Sequence, residues 1–242
     1  MTKTGTENQL RDEICRVGQS LFARGYVHAT AGNISVQLGA GEGGGFLITP
    51  TDACLGFLDP ARLARLDAAG QQVRGDRGSK TIVLHRCIYA ASAPTRAPAT
   101  CVIHTHSTHC VALTLHASQA SNSHVVEAER ELLPALTPYF VMKVGHVPVI
   151  GYHRPGDPQA AEAVASTIER YHARGTPIRA VMLERLGPNV WHDSPAAAMA
   201  TLEELEETAK LWHLMQRDPD GLPAPLAADA LDELRQTLSA HW

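Results

Sequence analysis

The sequence predicts an α/β fold: one domain spanning 1–242, with a mixed β-sheet and helices on both of its faces. Two observations carry this. Amphipathic helical stretches alternate with short apolar runs of β type, and several of those runs follow one another closely, as expected for layers around one core. The 242 residues, 44% hydrophobic and 19% charged, suffice for one sizeable core, and no internal repeat or domain linker interrupts them.

Each element can be justified in turn. Leu10, Ile14, Val17, Leu21 and Phe22 recur at helical spacing, so 6–25 is predicted helical, with Gly25 as its stop. "ATAGNISVQL" (29–38) reads as a turn feeding a strand, "GAGEGGG" (39–45) as a flexible hairpin tip, and "FLITP" (46–50) as the returning strand. The tip is no phosphate loop, because it lacks a Lys-Ser/Thr ending and precedes a strand. In "DPARLARLD", Asp59 caps a helix that Pro60 begins. "GQQVRGD" holds a short strand or turn, and 79–93 is an amphipathic helix with Ser79 as N-cap.

"ATCVIHTH" (99–106) reads as a buried strand and "STHCVALTLHA" as a helix. Residues 117–134 are polar and poorly patterned, the expected loop or insertion. "YFVMKVGHVPVIGY" (139–152) is strand-like with Gly and Pro breaks. A helix capped by Asp157 spans 157–175, and 178–191 reads as strand, turn at Gly187-Pro188, and return strand. A long helix with Ser194 as cap and Pro195 at its first position spans 194–216; its "LEELEETAKLW" face reads as packing plus solvated surface. The tail holds a Pro-rich link and a short helix.

Charge and composition exclude several function classes. A net charge of −4, with no basic stripe or cationic helix, argues against nucleic acid and anionic membranes as partners. No run approaches the ~18 apolar residues of a membrane span. The polar start, "MTKTGTENQLRDEICR", lacks the core of a signal peptide, so a cytoplasmic protein is expected. Five scattered cysteines without a CxxC fit reduced thiols better than a disulfide framework.

Chemistry concentrates in "CVIHTHSTHC", 101–110. Side chains two apart on a strand share a face, so His104 and His106 point together. Two such imidazoles make half of a zinc or manganese site; equally, they can be a hydrogen-bonded pair at a strand end. His109 lies one helical turn beyond and could support either.

At this point the chain resembles a known family. "AGNIS", "ITPT", "CLGFLDPARLARLD", "SKTIVLHRCIY", "VIHTHSTHCVAL", "LTPYFVMKVG", "RPGD" and "LEELEETAKL" occur in the order seen in the class II aldolase (aldolase/adducin-like) family. "LTPYFVMKVGHVPVIGYHRPGD" together with "EELEETAKL" is most similar to its 3-oxo-tetronate 4-phosphate decarboxylase branch. The resemblance covers roughly 8–216, leaving 217–242 as a tail. It implies a three-layer α/β/α sandwich with a largely antiparallel central sheet, and commonly a homotetramer. It also implies a divalent metal, usually zinc, on three histidines. Two of these are His104 and His106; the third comes from an Asn-His-Gly turn. A Glu at a helix start supplies acid/base chemistry. Gly32, Asn33, Thr51, Asp52, Ser79 and Lys80 fall in the segments that hold a substrate phosphate.

Against that pattern the chain departs at sensitive points. The Asn-His-Gly turn reads "ERLGP", so Leu186 stands at the third ligand position and cannot coordinate a metal. Thr81 stands at the carboxylate position, and its hydroxyl does not titrate near neutrality. Asp52 replaces a glycine where backbone N–H groups would meet phosphate; its carboxylate repels a dianion.

The leading expectation is therefore a lyase cleaving a C–C bond of a small keto or hydroxy acid, decarboxylation being favoured over retro-aldol cleavage. Tyr152 or His153 is a stand-in proton donor, and Arg185 with Lys80 can replace part of the metal's charge. Alternatively Glu184, His85 or His109 completes a weakened metal site. Two rivals stay open: a catalytically silent homologue that binds or assembles, and a biosynthetic enzyme with altered, metal-independent chemistry.

Overall fold

The computed structural model describes residues 5–117, 130–216, 221–240 and 242; most of the expected loop at 117–134 lies outside them. An eight-stranded sheet runs in the order β4-β3-β2-β1-β5-β8-β7-β6. The strands are β1 (Asn33–Gln37), β2 (Phe46–Ile48), β3 (Ala64–Leu66), β4 (Gln72–Arg74), β5 (Cys101–His104), β6 (Val149–Ile150), β7 (Ala180–Leu183) and β8 (Gly187–His192). Neighbours are antiparallel throughout, except that β6 runs parallel to β7.

Alternation along the strands sorts two cores. Ile34, Val36, Cys101, Ile103 and Val190 face one way, onto α1 (Glu7–Ala23), α4 (Pro138–Lys143) and α6 (Pro195–Met215), with Cys110 of α3 (Thr108–Ala117) in the same cluster. Ile48, Val102, Val181 and Trp191 face the other way, onto α2 (Ile82–Ser92) and α5 (Pro158–Ala173). The result is the expected three-layer α/β/α sandwich. A last helix, α7 (Ala228–Leu238), follows the tail, and Trp242 stacks on His146 with ring centres 4.4 Å apart.

Three local expectations are corrected. "DPARLARLD" forms only one 3-10 turn, Pro60–Arg62, capped by Asp59; the chain then enters β3, where Ala64 and Leu66 are buried between sheet neighbours. "PYFVMK" is helical, not a strand. Thr137 accepts a hydrogen bond from Phe140 N–H and Pro138 takes the first helical position, so a cap outweighs the β propensity of Tyr, Phe and Val. Gly187 and Pro188 open β8; the turn itself is 184–186.

A fourth correction concerns the acidic face of α6. Glu206 is only 2% exposed. Its Oε1 accepts from the His109 N–H and from His109 Nδ1, both at 2.9 Å, and its Oε2 accepts from the Cys110 N–H at 3.1 Å. The carboxylate thus satisfies orphan donors in the first turn of α3, immediately after the histidine strand, and favours that helix end electrostatically. Replacing Glu206 by Ala leaves the buried Cys110 N–H and the half-buried His109 N–H unpaired and should lower unfolding free energy in urea by about 3 kcal/mol. Glu206→Gln, which keeps an accepting oxygen, should lose less. Equal stability of both variants and the parent would show that the cap is unimportant.

Candidate active site

The sheet brings most of the sequence-derived residues to one end. Asn33 opens β1 directly opposite His104 at the end of β5, and His104 lies opposite Asn189 at the start of β8. The 49–52 turn leaves β2 at the same end, where the Thr49 hydroxyl accepts from the Ile34 N–H at 3.2 Å. Thr49 O in turn accepts from the Ser79 N–H at 3.1 Å, and the Thr51 N–H donates to Arg77 O at 2.8 Å. Gly32, Asn33, Thr51, Asp52, Ser79, Lys80, Thr81, His104 and His106 therefore belong to one connected patch.

Two glycines let neighbouring turns press against the end of β5. Gly32 has φ +84°, and a Cβ there would lie 2.8 Å from His104 O. A Cβ on Gly187 would collide with the Thr105 carbonyl. Asp52 has φ +55°, so the position reads as a glycine position conformationally as well as by resemblance.

His106 lies past the end of β5 instead of on it, yet its ring centre is 5.1 Å from that of His104. His104 Nδ1 is 3.0 Å from Pro188 O, and a carbonyl only accepts; Nδ1 therefore carries the proton and Nε2 presents its lone pair. Two imidazoles holding one zinc, with nitrogens about 2.0–2.1 Å from it, have ring centres on the order of 5 Å apart, so this pair fits two ligand positions. Among the described residues no group of three His, Cys, Asp or Glu side chains is placed to hold a metal ion. Leu186, at the third position, packs instead against the α2/α5 core.

The remaining candidates are arranged differently. Thr81, and not the expected Ser79, is the N-cap residue of α2, and its hydroxyl lies 2.6 Å from the Ser79 hydroxyl. Tyr152 and His153 follow β6, three strands from β5, which places them on the order of 14 Å away at ~4.8 Å per strand. Glu184 turns toward them: its carboxylate accepts from the Tyr152 N–H at 3.1 Å and sits 3.7 Å from Arg130. Arg185 is exposed on the 184–186 turn, with φ +62° and its N–H donating to the Thr114 hydroxyl. His109 is engaged by Glu206.

Sequence reasoning missed three neighbours. Asn189 is buried on the same face of β8 as Trp191, and neither its amide N nor its O has a partner among the described residues. Period-2 reading of "GPNVW" could have found it. Arg77 joins Thr51, Asp52, Cys54, Arg62 and Asp76 in lining a groove of about 510 Å³. His28, four residues before Gly32, has its ring centre 6.4 Å from that of His106.

Electrostatically the histidine cluster is held neutral. Burial, and then the neighbouring His106, push His104 down to about 3, against the pull of the Pro188 hydrogen bond. His85, whose Nδ1 is 2.7 Å from the Ser35 hydroxyl, is pushed down to about 3 by burial and then by His104. His106 is lowered by burial and by His28. Since the unfolded chain protonates its histidines near ~6.5, stability is full above that pH and is lost as the pH falls toward the folded values. His85 and His104 should each cost up to roughly 2 kcal/mol by pH 5. Urea midpoints measured at pH 7, 6 and 5 test this, and a flat profile would contradict the neutral cluster.

The sequence and the architecture are similar to those of known proteins. Residues 12–213 match the family described as Class II Aldolase and Adducin N-terminal domain. The chain is 50% identical over 238 residues to 3-oxo-tetronate 4-phosphate decarboxylase of Cupriavidus necator, covering 98% of this chain and 99% of that one. It is 37% identical over 214 residues to the decarboxylase of the same name from Escherichia coli, covering 88% of this chain and 90% of that one. Among solved structures, Escherichia coli YgbL superimposes with a TM-score of 0.77 at 34% identity, over 95% of this chain and 99% of that one. L-fuculose-1-phosphate aldolase from Thermus thermophilus gives 0.67 at 26% identity, over 89% and 98% respectively. No helix among the described residues is long and apolar enough to cross a membrane. With a family model matching residues 12–213 and a relative half identical over nearly the whole chain, this protein belongs to the class II aldolase and adducin family.

Proposed function

We propose that this chain is a carbon–carbon lyase that decarboxylates a small 3-oxo acid of the 3-oxo-tetronate 4-phosphate type. One observation carries the reading. The segments bearing Asn33, Thr51, Ser79 and Lys80 converge with His104 and His106 at one sheet end, in a chain half identical over nearly its whole length to such a decarboxylase.

The chemistry explains why decarboxylation is favoured over retro-aldol cleavage. A retro-aldol reaction needs a base to take the hydroxyl proton, and Thr81 offers none. A 3-oxo acid instead releases CO₂ when the electrons of the breaking C–C bond pass onto its 3-oxo oxygen as an enolate. That step needs an electrophile or hydrogen-bond donor at the oxygen, followed by a proton at C2. The Lys80 ammonium binds the anionic end of the substrate and Asn33 orients its polar oxygens. Ser79 and Thr51 supply hydroxyls at the phosphate. His104 and His106 would contribute two ligands to a divalent cation, zinc in first place and manganese in second, which when bound would supply the electrophile. The wider proposal includes a cytoplasmic homotetramer as the working form, which light scattering tests.

Purified chain given 3-oxo-tetronate 4-phosphate should release CO₂. Aldehyde release without CO₂ would favour an aldolase, and neither turnover nor ligand binding would leave a silent scaffold. Within this reading Asp52 opposes the phosphate with a charge worth ~1 kcal/mol at 4 Å in water. Asp52→Gly should therefore lower KM for the phosphorylated substrate roughly fivefold with kcat little changed, the signature of uniform binding. An unchanged KM would place the phosphate elsewhere.

A further inference from the structure

We propose that Arg77 selects a phosphorylated substrate: its guanidinium receives the phosphate at the groove it shares with Thr51 and Asp52, and offsets the Asp52 carboxylate. This rests on the decarboxylase reading, in which the substrate carries a phosphate beside the Thr51 and Ser79 hydroxyls.

A short antiparallel bridge places Arg77. Pro50 and Gly78 face each other across it, flanked by hydrogen bonds from the Thr51 N–H to Arg77 O at 2.8 Å and from the Ser79 N–H to Thr49 O at 3.1 Å. Opposite residues of an antiparallel pair share a face, and the next residue along each strand takes the other face. Thr51 is therefore opposite Arg77, and Thr49 is opposite Ser79, all four on the face that Pro50 and Gly78 leave. Side chains opposed in this way have Cβ atoms roughly 5 Å apart. Exposure rises outward along that face: Thr49 is buried, Thr51 and Ser79 are half-buried, and Arg77 is exposed. The bridge continues β2, two strands from the histidines at the end of β5, on the order of 10 Å at ~4.8 Å per strand. The phosphate end of a four-carbon acid, and not its reacting carbons, is the part that meets Arg77.

Charge points the same way. The groove lined by Thr51, Asp52 and Arg77 encloses about 510 Å³, within the ~300–1,000 Å³ usual for small-molecule sites. Its other cation, Arg62, is engaged by Asp76 at 2.6 Å, and Asp59 accepts from the Ala61 N–H at 2.9 Å. Among the described residues neither the Arg77 guanidinium nor the Asp52 carboxylate has a hydrogen-bond or ion-pair partner. A phosphate dianion beside the Asp52 carboxylate needs more positive charge than the single ammonium of Lys80. Arg77 supplies it, in a planar fork that can bond two phosphate oxygens at once.

Titration calorimetry with inorganic phosphate tests this. The parent should bind phosphate, Arg77→Gln should bind it on the order of 10- to 100-fold more weakly, and Arg77→Lys should fall between them. Circular dichroism and melting temperature should be alike in all three, because the Arg77 side chain has no protein partner to lose. The loss should persist when Arg77→Gln is added to Asp52→Gly; its disappearance there would show that Arg77 only masks Asp52, and would overturn the proposal. In turnover, the ratio of kcat/KM for 3-oxo-tetronate 4-phosphate to that for the unphosphorylated acid should fall by the same factor in Arg77→Gln, whereas a structural defect lowers both together. Equal phosphate affinity in Arg77→Gln and the parent overturns the proposal, as does a parent that binds no phosphate at millimolar concentration. Phosphate binding that depends on Arg77 in a chain releasing no CO₂ would support the site and remove the decarboxylase reading alone.

Discussion

The short break between β5 and α3, residues Thr105 to Ser107, is the constraint around which this end of the molecule is organised. β5 is an inner strand, hydrogen-bonded to β1 on one side and β8 on the other, so its end cannot move without disturbing both halves of the sheet. Gly32 and Gly187 allow the turns on either side to press onto the carbonyls of His104 and Thr105. From α6, in the same layer as α3, Glu206 caps the first turn of α3. The two histidines are positioned by backbone contact on both flanks and by a buried carboxylate from behind.

This clamp is independent of the three positions expected to depart from the family pattern. The clamp uses backbone atoms, two glycines and one glutamate, none of which is Leu186, Thr81 or Asp52. Substitution at those three positions alters ligands and charges without touching what holds β5 in place. Leu186 has joined the apolar α2/α5 core, where leucine is more at ease than an imidazole lacking a metal. Burial of His85 and His104 holds both imidazoles neutral.

Much of this was legible in the chain. Helices with a clear cap and stop, such as Asp157–Gly175 and the one opening at Ser194-Pro195, were readable because their signals are local. The same cap at Thr137-Pro138 was overlooked, because Tyr139, Phe140 and Val141 suggest a strand when read alone. The turn at Asp52 was recognisable as a glycine position, and its φ of +55° agrees. Glu206 was read as solvated, since helical periodicity says which residues share a face but not which neighbour reaches it. His28 and Asn189 were missed for a similar reason: each lies far along the chain from the histidines that it approaches.

The sequence by itself determined the layered α/β architecture, the family and the histidine pair, because hydrophobic period, caps and motif order are local patterns. The resemblance adds the expectation that Leu186, Thr81 and Asp52 depart from the family pattern. Only the tertiary structure decided which residues meet. Strand order and register put Asn33 and Asn189 beside His104, moved Tyr152 and His153 three strands away, and carried His28 to the rim of the site. The physical reason is that convergence of distant segments is set by packing across the sheet, and no local pattern encodes that distance.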